Sequence, residues 1–92
     1  MKLKILGHDF RVTQQGRSKL LGRMNTYKGW IKYDPSVATS QIESTLVHES
    51  LHAIDDMLDL KLGERRIRLL EVGLVQFLRD NGVSLTPLRK RK

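Results

Sequence analysis

The strongest constraint in this chain is a stretch from Gln41 to Leu58 with neither glycine nor proline, followed after a few residues by a second apolar-periodic run ending at Asp80. A helix interior tolerates Gly and Pro poorly, so their absence over that length predicts a helix, and Ser40 with Glu43 three residues on supplies a capping-box signature for its start. At about 100° per residue, Val47, Leu51, Ile54 and Leu58 form one apolar stripe. Ile42, Leu46, Ala53 and Met57 form another, on the far flank of the face that carries His48 and His52. A helix apolar on two sides is expected at the centre of its domain. The second helix is expected from Gly63 or Glu64 to Asp80, with Ile67, Leu70, Leu74, Phe77 and Leu78 as core residues and Asn81-Gly82 as its stop. The short connection between the helices predicts an antiparallel hairpin.

The first 35 residues have the other periodicity. Leu3 and Ile5 alternate with Lys2 and Lys4, and HDFRVTQ repeats the alternation with Phe10 and Val12, which predicts two half-buried strands joined near Gly7 and His8. The basic, glycine-punctuated segment from Gln14 to Met24 reads as a loop or a short helix, and Trp30, Ile31 and Tyr33 suit a third short strand ended by Asp34-Pro35. The expected fold is therefore α+β: a short, antiparallel, β-rich half over residues 1–35, a helix over 40–60, and an antiparallel second helix over 63–81. Residues 1–82 form one domain, and 83–92 a basic tail.

With 92 residues there is room for one core and no second domain. The chain has no cysteine, which excludes disulfides and thiolate ligands and leaves metal chemistry to nitrogen and oxygen donors. No apolar run approaches the ~20 residues of a membrane span, and the first ten residues lack the pattern of a signal peptide, so a soluble, cytoplasmic protein is expected, with no membrane partner. Four of the seven surplus positive charges lie in Arg89, Lys90, Arg91 and Lys92. A basic end of that size is more simply a solvated terminus than a nucleic-acid arm, and nucleic acid is not the expected partner.

The chemistry is concentrated in HESLH. His48 and His52 stand one turn apart on one helix face, so both imidazoles can reach a single ion, and Glu49 lies about 100° round the helix, within reach of a water beside that ion. The expected cofactor is Zn²⁺ and the expected general base Glu49. A catalytic zinc needs a third protein ligand. An antiparallel hairpin turning near residues 60 and 61 sets the histidines level with residues 69 to 73, and Glu71 lies there inside the apolar stripe of the second helix, where an unpaired carboxylate is costly. Glu64 competes from two turns earlier, nearer the turn. Asp55, Asp56 or Asp59 could accept the second ring N–H of a ligating histidine. His8 reads as a surface residue with a possible oxyanion-donor role, and Trp30 and Tyr33 as sheet-packing residues.

TLVHESLHAIDD followed by ERRIRLLEVGLVQFLRDN resembles the short phage- and prophage-encoded zincin peptidases of the ImmA/IrrE-like kind, over residues 29–82. The resemblance implies a soluble, single-domain, zinc-dependent metallopeptidase of the gluzincin class, whose third ligand is a Glu on the helix after HExxH. His48, Glu49 and His52 match the motif residue by residue; the family's acid near the start of the second helix falls on Glu64, whereas hairpin geometry favours Glu71, which is the expected ligand. Such proteins carry a further edge strand between the segment matching GWIKYD and the active-site helix, and here YDPSVATSQ runs almost directly into the helix. Without that strand, edge addition of a peptide or protein substrate is weakened. Hence the rival expectation is a catalytically weak or inactive zincin-fold accessory protein that binds a protein partner.

Overall fold

The computed structural model describes residues 1–16 and 19–85. The basic tail expected at 83–92 therefore lies mostly outside the described residues. Four strands come first: β1 (Lys2–Ile5), β2 (His8–Gln14), β3 (Gly22–Asn25) and β4 (Trp30–Tyr33). Two helices follow, α1 (Thr39–Leu58) and α2 (Gly63–Asp80).

β1 and β2 form the expected hairpin, turning at Leu6 and Gly7, both with positive φ, as a two-residue turn between right-twisted strands requires. The expected strand at Trp30–Tyr33 is β4. It runs parallel to β2, with Val12 level with Ile31, so the sheet is mixed, in the order β1-β2-β4-β3. β3 pairs antiparallel with β4 at the sheet edge and is made from residues expected in a loop or short helix. Non-local pairing prevails there: Asp34 N–H donates to Leu21 O at 2.9 Å, and Met24 packs against the core opposite Ile31.

Three layers result. One sheet face carries Ile5, Phe10, Val12, Ile31 and Tyr33, and α1 covers it with Ile42, Leu46 and Ala53. On its other side α1 presents Val47 and Leu51 to Ile67 and Val75 of α2. The central, two-sided helix is thus present, with two differences in detail. Ile54 packs toward the sheet, and Leu58 at the last turn is exposed.

The capping expectation is corrected. α1 starts at Thr39 behind Ala38 and has no side-chain cap. Glu43 points instead to the far end of α2, where its carboxylate accepts from Arg79 Nε at 3.2 Å and from Leu85 N–H at 3.1 Å. The core of α2 is also corrected: Ile67 and Val75 are buried and Leu78 partly so, while Leu70, Leu74 and Phe77 face outward. The buried stripe also takes in Val75, which the expected set lacks, so it is turned about the helix from the expected one; α2 packs on α1 alone, and that neighbour sets which narrow stripe is covered.

Candidate metal centre

The sheet and α2 occupy two sides of α1, leaving one strip of α1 open between the edge strand β3 and α2. Gln41, Thr45, His48, Glu49 and His52 line a cleft there of roughly 540 Å³, within the range of small-ligand sites. Leu20, Leu21 and Gly22 form its wall on the β3 side, and Glu64, Arg68, Glu71 and Val72 its wall on α2.

The motif residues come together as expected. The rings of His48 and His52 lie 4.8 Å apart, centroid to centroid. His52 Nε2 is 2.8 Å from Glu64 Oε1, and His48 Nε2 is 3.1 Å from Glu64 Oε2, so both imidazoles converge on one carboxylate. Ligand atoms of His48, His52 and Glu64 all lie within 4.8 Å of one another, and these three can hold a metal ion. Among the described residues this is the one such group.

Glu71 is level with His48, as the hairpin geometry requires, but it meets the other ring nitrogen: its Oε1 lies 2.8 Å from Nδ1. Glu64 reaches the histidines because the link between the helices is tight. Asp59 and Lys61 both take positive φ, and Asp55 Oδ1 accepts the Leu62 N–H at 3.1 Å, which folds the first turn of α2 back beside His52. Asp55 thus anchors the start of α2, and the carboxylate beside His48 Nδ1 is that of Glu71 rather than of Asp55, Asp56 or Asp59. His8 lines a separate depression with Tyr27 and Met57 and does not reach the cleft. Tyr33 is a core residue, and Lys32 Nζ lies 4.8 Å from the ring centroid of Trp30.

The donor set fits a cation. His48 lies between two carboxylates, Glu71 at Nδ1 and Glu64 at Nε2, and His52 Nε2 meets the second oxygen of Glu64. Two imidazole nitrogens and a carboxylate thus converge on one point, where a cation would meet nitrogen and oxygen donors.

Burial is the main influence on Glu49 and lifts its carboxyl above the ordinary range; His48 and His52 oppose the rise, while Glu64 and Glu71 add to it. Burial also acts on Glu64, but hydrogen bonds from Arg68 and His52, with the charges of both histidines, more than offset it and hold that carboxyl low. Arg68 Nε donates to Glu64 Oε2 at 3.0 Å, one turn along α2.

Gly22 and the edge strand were not foreseen as parts of the site. A Cβ on Gly22 would overlap the methyl group of Thr45 and stand 3.3 Å from Glu49 Cγ, so only glycine lets β3 lie this close to α1. Because Leu21 pairs with Asp34, strand alternation turns the backbone N–H and C=O of Gly22 and Met24 away from β4, toward the open edge beside the cleft. No strand lies between β4 and α1, and the strand at the sheet edge beside the cleft is β3. No helix among the described residues is long and apolar enough to cross a membrane. Compared with protein families, with curated proteins and with solved structures, the chain matches none.

Proposed function

We propose that the chain is a zinc-dependent metallopeptidase in which His48, His52 and Glu64 hold the metal, Glu49 is the general base, and Glu71 positions His48. One observation carries the reading: Nε2 of both motif histidines lies within 3.1 Å of the two oxygens of Glu64, with Glu49 lining the same cleft. Two imidazoles and one carboxylate, facing an open cleft, are the donor set of a catalytic zinc site. Glu71 is given the supporting role because its Oε1 lies 2.8 Å from Nδ1, the ring nitrogen other than the one beside Glu64, and an N–H donated there would leave Nε2 free to bind the metal.

Zinc held by His48, His52 and Glu64 would supply a Lewis acid able to polarise the scissile carbonyl and acidify a water. Glu49 takes a proton from the attacking water and delivers it to the leaving amine nitrogen. The outward backbone groups of Gly22 and Met24 can pair with an extended peptide, so main-chain hydrogen bonds hold the substrate beside Glu49. The rival reading is an inactive accessory protein that binds a protein partner, and a chain that holds zinc but cleaves no peptide would fit it; the outward edge of β3 favours the peptidase.

The test is zinc content and peptide cleavage in the wild type and in Glu49→Gln. The variant is expected to keep the metal and the fold and to lose turnover. Undiminished cleavage would remove Glu49 from its role, and a wild type that binds no zinc would remove the metallopeptidase.

A further inference from the structure

We propose that a second copy of this chain packs across α2, about a two-fold axis passing close to Gly73. α2 buries one stripe against α1 and leaves a second apolar face bare: Phe77 is 61% exposed, Leu70 43% and Leu74 39%. On the helical wheel, at about 100° per residue, these three share a face with Arg66, Gly73 and Asp80. That face lies opposite the one carrying Glu64, Arg68 and Val72, so covering it leaves the metal cleft open.

Three features of the face favour a copy of itself as occupant. First, its ends are oppositely charged and equally far from its middle: Arg66 and Asp80 each stand seven residues from Gly73. An antiparallel pairing of two α2 helices centred on Gly73 therefore sets Arg66 of each against Asp80 of the other, a self-complementary arrangement of the kind a two-fold interface requires. Arg66 is exposed and, among the described residues, takes part in no ion pair. Second, the same register brings Phe77 of each copy over Leu69 and Leu70 of the other, covering the bare residues of both at once. Third, Gly73 sits in mid-helix, where glycine costs about 1 kcal/mol relative to alanine. Nothing in its own chain lies within 4 Å of where its Cβ would be, so no contact of the monomer calls for glycine there. At the crossing point of two helices, a missing side chain lets the axes approach closely.

A helix of 18 residues is about 27 Å long, and one such crossing buries less than the ~800 Å² per partner of a standard interface, so the dimer is a weak, concentration-dependent one. Sedimentation equilibrium of the full chain from about 10 μM to about 1 mM covers that range. The wild type is expected to move from monomer to dimer mass. Each contact occurs twice by symmetry, so Phe77→Asp is expected to weaken association by about 100-fold or more, and Arg66→Glu by up to about tenfold. Combining Arg66→Glu with Asp80→Arg is expected to restore it. Both charges are on the surface, so these variants fold, and circular dichroism verifies that. A protein that stays monomeric to about 1 mM, which would leave the face to some other partner, overturns the proposal, as does a dimer indifferent to the single charge reversal.

Discussion

Replacing Gly22 by alanine tests how closely the sheet edge is pressed on the helix that carries the site. The new Cβ would overlap Thr45 Cγ2 and stand 3.2 Å from the Lys32 carbonyl oxygen and 3.3 Å from Glu49 Cγ. Thr45 cannot step aside cheaply, because it is buried and β-branched and its Oγ1 donates to the Gln41 carbonyl at 2.9 Å. Relief must come from β3 moving off α1, an overpacking cost of about 1–3 kcal/mol. For a domain of this size that lowers Tm by roughly 5–20 °C. Thr45→Ser removes the obstructing methyl and keeps the hydroxyl. In that background the alanine is expected to cost at least ~1 kcal/mol less, a coupling that urea denaturation of the four proteins in the cycle resolves. The displaced Glu49 side chain should also reduce peptide turnover, by up to about 100-fold if the shift approaches 1 Å, with zinc affinity nearly unchanged. Equal costs for Gly22→Ala in the two backgrounds would refute the close-contact account.

Chelator competition should rank the two acids of α2: Glu64→Gln, which loses a charged ligand, is expected to weaken zinc binding more than Glu71→Gln, whose loss belongs with the ~10–100-fold effects of groups behind the ligands. The reverse order would return Glu71 to the metal. Glu43→Ala should destabilise the protein by about 2–3 kcal/mol, because it removes the acceptor of Arg79 and of the Leu85 N–H. Burial pushes the Glu43 carboxyl up, but the Leu85 N–H, Arg79 and Ser84 more than offset that and hold it below its ordinary value. A lowered folded value stabilises the protein above the unfolded pKa of about 4.3, and that contribution fades as pH falls through the folded one. The stability gap between wild type and Glu43→Ala should therefore be full at neutral pH and close in acid, and a gap unchanged at about pH 2 would contradict it.

Both helices and the β1–β2 hairpin were legible because each is specified by local periodicity and by its own turn residues. β3 was not. Gly22, Arg23, Met24 and Asn25 carry no alternation, and the segment becomes a strand through pairing with β4, which local sequence does not encode. Glu43 misled for a related reason: its spacing from Ser40 is that of a cap, while its partners lie 36 and 42 residues away. On α2, apolar residues nearly encircle the helix, so periodicity alone could not say which side meets α1, and the expected stripe lay turned from the buried one, which includes Val75. Glu71 marked the true stripe, being the carboxylate placed among its apolar residues and drawn to His48.

The position of the site follows from the layering. α1 is buried against the sheet through Ile42, Leu46 and Ala53 and against α2 through Val47 and Leu51. Only the strip with Gln41, Thr45, His48, Glu49 and His52 is left to face a cleft, and its edges are the edge strand β3 and the first three turns of α2. On the proposed reading HESLH supplies two donors and a base but not the third donor, which comes from the helix on one side. The strand on the other side, which holds the backbone groups able to meet a peptide, comes near enough only because residue 22 has no side chain. On this view the zinc-binding half and the substrate-binding half of the cleft are separable. Glu64→Gln acts through α2 and should impair metal binding without disturbing β3, whereas Gly22→Ala acts through β3 and should impair turnover without releasing the metal.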